Sequence, residues 1–359
     1  EVLGYKDMVP QVHGELCSFT TNKKYGRFKQ ATVPRSWFKC ITAGHYIQTP
    51  NGSKLIETIK PGDTIYGQSG AITVTGIEQK IAPVIKLTFQ SGRSLTCTPH
   101  HPLKTITGWM QARKLLGRGV IMSNLQTLNR YDSDYARFCG YMAGDGCYSG
   151  SSFTTVDTDI RNWMVKYTGM HLVKNSIKDY YISTKYTKTL PPELKCLSKN
   201  KDFPVQFEHS YEFLSSLFDC DGTVGDAVVS LTTASVKLAK GIQRSLASFD
   251  IQSSVIECIS FNNTGFRGKC WHVNIYGEYI EKFYKAISFT SSYKQKKLEE
   301  LVKRNSISKC FSIVPKEWRK YLRLGDGFKL RKNGIRIDNN YHTTKDKVNK
   351  CAEVLNRTE

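Results

Sequence analysis

Apolar residues along this chain change their rhythm twice. From residue 40 to about 128 they come in short alternating runs, broken by TPNG at 49–52, KPGD at 60–63 and QSG at 68–70 and again at 90–92. Apolar–polar alternation between turn-forming Gly, Pro and Asn predicts half-buried strands joined as hairpins, hence an all-β unit. Residues 129–298 mix helical spacing with strand alternation. Residues 299–359 are dense in lysine and arginine with little apolar periodicity and predict a small basic helical appendage. Residues 1–39 are mixed, ending in a strand-like QATV and then PRSWFK.

The middle stretch contains a repeat. SDYARFCGYMAGDG at 133–146 is answered by HSYEFLSSLFDCDG at 209–222. SSFTTVDTDIRNWMV follows the first, and VVSLTTASVKLAKGI follows the second. Each copy reads as a helix, Asp-Gly, a loop, a strand containing Thr-Thr and a second amphipathic helix. Asp134 and Ser210 suit the N-caps of the two leading helices. Asp145 and Asp221 are 76 residues apart, room for an αββαββ-sized unit. Duplication with a pseudo-twofold axis is the simplest account.

Gly140 and Gly144 lie four apart on one helical face, and Ser216 and Cys220 take the same two places in the second copy. Four small residues let two helix backbones approach more closely than leucines would. Asp145 and Asp221 then fall at matching helix ends, where each carboxylate meets an unfavourable helix dipole as well as its twin. A divalent cation between them relaxes the arrangement; oxygen-only ligands select Mg²⁺, Mn²⁺ or Ca²⁺. The plainer alternative is that Asp-Gly merely ends each helix, with glycine as a left-handed cap.

Charge adds a partner. There are 52 basic and 31 acidic residues, a formal +21, which points to a polyanion and foremost to nucleic acid. The 11 cysteines are odd in number, scattered and free of CxxC pairs, so free thiols in a reducing cytosol are expected and a zinc site is not. No apolar run reaches the ~20 residues of a membrane span. EVLGYKDMVPQVHGEL lacks a signal core, so a cytoplasmic protein of a bacterial or phage-infected cell is expected.

On the doubled motif, residues 129–298 resemble the LAGLIDADG homing endonucleases in their two-repeat, single-chain form. The resemblance implies a pair of αββαββα units, a monomer with an internal pseudo-dimer, whose antiparallel sheets form a saddle over double-stranded DNA. It assigns Asp145 and Asp221 to metal, with Mg²⁺ first and Mn²⁺ second. It matches Lys201 (in KDFP) and Lys294 (in SSYKQKKL) to basic positions near the active centre. Phe138 and Cys220 depart from the family's letters.

Upstream, CITAGHYIQTPNGSKLIETIKPGDTIY at 40–66 precedes SGRSLTCTPHHPLKT at 91–105. A cysteine opening a β unit, followed by Thr98-x-x-His101, offers a nucleophile and an acid–base partner. This order resembles the N-terminal part of an intein, the Hint fold. The resemblance implies that Cys40 attacks the Lys39 carbonyl to form a thioester while His101 protonates the amide nitrogen and Thr98 orients it. Residues 1–39 would then be host protein, 40–128 the splicing part and 129–298 the inserted nuclease. The family's closing His-Asn is not met in KCAEVLNRTE, and Asn356 has no such context. A separate C-terminal half (a split intein) or truncation is expected. QATVPRSWFK at 30–39 resembles the variant phosphate loop of phage terminase large subunits, with Phe38 where glycine is usual.

The chemistry expected is therefore intein-encoded, metal-dependent double-strand cleavage of an intein-free host gene, joined to autoprocessing acyl transfer. Its rivals are a non-cleaving DNA- or RNA-binding module on the same saddle, which the two retained aspartates disfavour, and an ATPase fragment built on residues 1–39, too few to fold alone.

Overall fold

The computed structural model describes residues 40–305 apart from 68–69, 80, 106–107, 118, 121–132 and 262–266, and beyond them 313–314, 326–333, 343–344, 351 and 353–355. The architecture is mixed α/β with small antiparallel sheets.

Hairpins build the first part. β1 (Tyr46–Thr49) pairs with β2 (Gly52–Leu55), β3 (Thr64–Gly67) with β4 (Gly70–Thr73), β5 (Ile85–Thr88) with β6 (Ser94–Cys97), and β7 (Pro102–Thr105) with β8 (Gly108–Gln111). The turn signals act where they stand in the sequence. Gly52 closes the Thr49–Gly52 turn at φ +97°, and Gly92 closes the Phe89–Arg93 turn at φ +78°. Both values are left-handed and cost glycine nothing.

The second part runs α1 (Asp134–Gly144), β9 (Gly146–Cys147), β10 (Ser152–Thr154), α2 (Thr158–Thr168), β11 (His171–Leu172), β12 (Asp179–Tyr181) and α3 (Thr184–Thr187). The same order returns as α4 (Tyr211–Asp221), β13 (Gly222–Val224), β14 (Val228–Thr233), α5 (Val236–Ser248), β15 (Ser254–Phe261), β16 (Arg267–Tyr276) and α6 (Glu278–Ala286), followed by α7 (Ser292–Asn305). The sheets are ordered β9-β10-β12-β11 and β13-β14-β16-β15, so each places its strands first, second, fourth, third.

Amphipathic spacing fixes the layers. Ile160 and Met164 turn α2 inward, and Leu238, Ile242 and Leu246 do the same for α5. Phe138, Phe153, Phe213, Phe218 and Phe283 are fully buried in one cluster that runs through both halves.

One expectation is corrected. Ser133, not Asp134, caps α1 by accepting from the Ala136 amide, whereas Ser210 caps α4 through Phe213 as expected. A serine hydroxyl reaches back to that amide, and Asp134 serves instead as a first-turn acid facing the helix dipole. Leu298 and Leu301 are both fully buried and hold α7 to the core. Later pieces are a strand pair, β17 (Ile313–Val314) with β18 (Thr343–Thr344), and between them in sequence α8 (Asp326–Lys332). Among the described residues no helix is long and apolar enough to cross a membrane.

Candidate active site

α1 and α4 touch along their smallest residues. A Cβ on Gly140 would lie 2.1 Å from Ser216 Oγ and 2.5 Å from the Phe213 carbonyl oxygen. One on Gly144 would lie 2.4 Å from Cys220 Cβ. Such spacing excludes any side chain at either glycine. The backbone contact it allows offsets the roughly 1 kcal/mol that glycine costs a helix.

Asp145 caps α1, Asp221 is the last residue of α4, and so the two carboxylates leave the helix pair at one end. Asp221 Oδ2 is 3.7 Å from the place a Gly144 Cβ would take. Neither following glycine is a left-handed cap: Gly222 has φ −83°, and Gly146 is not among the positive-φ glycines. Their hydrogens are needed for space. A Cβ on Gly146 would sit 2.6 Å from Met142 Cα, and one on Gly222 would sit 2.3 Å from the Phe218 carbonyl oxygen. Asp-Gly is therefore a sharp helix-to-strand turn, and the capping alternative fails.

The pair is electrostatically strained. Burial, then the Asp145 charge, push Asp221 up to about 7. Burial also raises Asp145. Lys201 and Lys294 pull both the other way.

Each lysine closes one helix end. Lys201 is buried, and its Nζ donates to the Met142 and Ala143 carbonyls of α1 at 3.3 and 2.6 Å. Burial depresses its pKa, opposed chiefly by the Asp221 charge. Lys294 Nζ donates to the Phe218, Asp219 and Cys220 carbonyls of α4. Both cations thus satisfy carbonyls at a negative helix terminus, one behind each aspartate.

Sequence reading missed the bracing beneath these groups. Asp219 is buried and accepts from the Thr290 and Ser291 amides at 2.9 and 3.0 Å, and burial pushes it up to about 6. Ser291 Oγ donates to Asp157 at 2.5 Å, and the Ser292 amide and hydroxyl donate to Asp159. These bonds tie the start of α7, which carries Lys294, to both halves. The one available signal was the second acid in FDCDG. An open cleft of ≈ 780 Å³ lies alongside, lined among others by Asp145, Thr154, Asp159, Lys178, Cys220 and Lys294.

In the β part, Cys40 and Thr98 meet through two hydrogen bonds, and their neighbours through a third contact. The Cys40 amide donates to Thr98 Oγ1 at 3.2 Å, the Thr98 amide donates to the Cys40 carbonyl at 3.0 Å, and Ile41 bridges Cys97. The His101 amide closes a turn onto the Thr98 carbonyl at 2.9 Å, which binds His101 to the same strand end. Lys39 and the rest of QATVPRSWFK lie outside the described residues, as does Asn356.

The β part docks on the second half through one buried acid. Glu208 is fully buried and accepts from the Ser53 amide and hydroxyl at 2.6 and 2.9 Å and from Arg244 at 2.5 Å. The Val255 amide donates to the Ser91 carbonyl at 3.0 Å, extending the contact.

The chain carries a LAGLIDADG-like domain, whose family model matches residues 208–288. It is similar to the replication factor C small subunit of Thermococcus kodakarensis, 28% identical over 246 residues that make up 62% of this chain and 28% of that protein. The Methanocaldococcus jannaschii protein of the same description is 26% identical, with 68% of this chain and 15% of that protein covered. The chain thus spans well under a third of these curated relatives. Among solved structures, the homing endonuclease I-DmoI in complex with DNA and Ca is 14% identical, with TM-score 0.33 over 46% of this chain and 97% of that one. The gp41-1 intein is 29% identical, with TM-score 0.16 over 19% of this chain and 54% of that one.

Proposed function

We propose that the chain is a site-specific, metal-dependent DNA endonuclease of the two-repeat LAGLIDADG kind, carried within the N-terminal half of a protein-splicing element. One observation carries the nuclease: two helices paired through small residues deliver Asp145 and Asp221 to the same end, each with a lysine behind it. Two half-buried carboxylates, one raised to about 7, form a hard-oxygen site that is short of positive charge. Mg²⁺ or Mn²⁺ fits that donor set. When bound, such an ion activates water and stabilises the leaving oxygen of a phosphodiester.

The protein's own groups do the positioning. Asp145 and Asp221 would hold the cation. Lys201 and Lys294 oppose the rise in those acids' pKa and place positive charge where a scissile phosphate gathers negative charge. The sheets turn a polar face away from the core. On it Thr232 pairs with His272 at 2.7 Å, a donor–acceptor pair suited to base edges in a major groove, beside Ser230, which donates to buried Asn274 at 2.6 Å. The basic excess grips phosphates with steep salt dependence.

In the splicing half the Cys40 thiolate attacks the Lys39 carbonyl carbon. The C–N bond breaks, the Cys40 nitrogen leaves with a proton from His101, and a thioester remains. The Thr98 hydroxyl, already bonded to that nitrogen's hydrogen, holds the amide in line. The element's C-terminal half completes splicing in this reading, and residues 1–39 are host segment whose QATVPRSWFK resembles a terminase phosphate-binding motif. A shared stretch that fills most of this chain but a minor part of far longer relatives is what an inserted element produces.

The test is incubation with a plasmid library of randomised double-stranded sites and Mg²⁺. Linear product is expected from wild type and not from Asp145→Asn or Asp221→Asn, both of which should still bind. Binding by wild type without cutting would establish the non-cleaving rival. For splicing, thiol should release a fragment ending at Lys39, and Cys40→Ala should prevent it. An intact Lys39–Cys40 bond after thiol treatment would remove that half of the reading.

A further inference from the structure

Cys258 on β15 and Cys270 on β16 are directly opposed in the antiparallel ladder, and their sulfur atoms are 2.7 Å apart. His272 follows two residues along β16. Alternation along the strand places Cys270 and His272 on one face of the sheet and fully buried Val273 on the other. The two sulfurs and an imidazole nitrogen all lie within 4.8 Å of one another. Thr232 Oγ1 holds His272 Nδ1 at 2.7 Å from the neighbouring strand, which leaves Nε2 for a ligand.

We propose that Cys258, Cys270 and His272 form a binding site for one thiophilic divalent cation, zinc, with its fourth position open to solvent. Two thiolates and an imidazole select such an ion over Mg²⁺, so this site and the carboxylate pair are chemically separate. Tetrahedral zinc with Zn–S near 2.3 Å sets two sulfurs about 3.8 Å apart, so the pair must open by about 1 Å. Half-exposed Cys258 has room to supply that by a side-chain rotation. Thr232 supplies the outer hydrogen bond that fixes the ring, the usual support of a zinc-bound histidine. The ion ties β15 to β16 and stiffens the polar face. Sequence spacing hid the site, because its cysteines lie 12 residues apart and only the ladder register makes them opposite.

The full chain, reduced with a phosphine and stripped with chelator, is titrated with Co²⁺ in excess Mg²⁺, which occupies the carboxylate pair. One equivalent should produce thiolate-to-cobalt charge-transfer absorbance and tetrahedral ligand-field bands. Zn²⁺ should abolish both and raise the melting temperature. Cys258→Ser and Cys270→Ser should lose the charge-transfer band, while Cys147→Ser, at an exposed thiol elsewhere, should keep it. Thr232→Val should weaken zinc binding by roughly tenfold or more without changing the metal-free melting temperature. The absence of the band, its persistence in both serine variants, or a Cys258–Cys270 disulfide that forms even in excess zinc would overturn the proposal. None of these outcomes bears on DNA cleavage.

Discussion

Replacing Asp221 by asparagine should stabilise the metal-free protein while abolishing cleavage. The native pKa of about 7, against an ordinary 3.8, means that the folded state holds a proton the unfolded chain has lost between roughly pH 4 and pH 7. Stability therefore falls as pH rises through that window. A shift of about three units corresponds to at most ~4 kcal/mol at pH 8, at 1.36 kcal/mol per unit. Asparagine still buries a polar amide and Lys201 loses its chief counter-charge, so a net gain of about 1–2 kcal/mol is expected. That is a rise of a few degrees in melting temperature for a protein of this size. Scanning calorimetry in chelator at pH 8 and pH 5.5 reads it, and the gain should shrink at the lower pH, where wild-type Asp221 is protonated. Mg²⁺ should then raise the wild-type melting temperature and leave the variant's unchanged. Equal melting at pH 8 without metal, or a variant that melts lower, would refute the claim that the two carboxylates strain each other.

Three further substitutions probe the same frame. Gly144→Val should separate α1 from α4, because its Cβ would meet Cys220 at 2.4 Å; overpacking of about 1–3 kcal/mol and loss of cleavage are expected, read by thermal melting and plasmid linearisation. Lys294→Met should leave DNA affinity, measured by fluorescence anisotropy, within about threefold while cutting the cleavage rate by roughly tenfold or more, since its ammonium sits behind Asp221 rather than on an outer surface. Glu208→Ala should cost about 3–5 kcal/mol, because it strands Arg244 and the Ser53 donors at a buried junction; limited proteolysis should then cut between the β part and the remainder.

Local chemistry made much of this protein legible. TPNG and QSG mark turns because left-handed backbone favours glycine wherever it occurs, and the hairpins follow from it. The doubled phrase was readable because four small residues at helical spacing have few uses other than close approach, which the Gly140–Ser216 and Gly144–Cys220 contacts display. Cys40 and Thr98 could be paired by order alone, and their hydrogen bonds join them. Capping went astray at Asp134 because serine and aspartate compete on nearly equal terms at a helix start, and only the observed geometry separates them.

The sequence by itself determined the periodicities, the turns and the two small-faced helices, because each depends on residues within a few positions of one another. Tertiary structure alone decided what distant residues do together. It seated Lys201 and Lys294 on the C-terminal ends of the two paired helices, anchored Thr290 and Ser291 on Asp219, buried Glu208 against Ser53 and set Cys258 opposite Cys270. Those pairings depend on register, burial and local dielectric, which exist only after the chain has closed on itself.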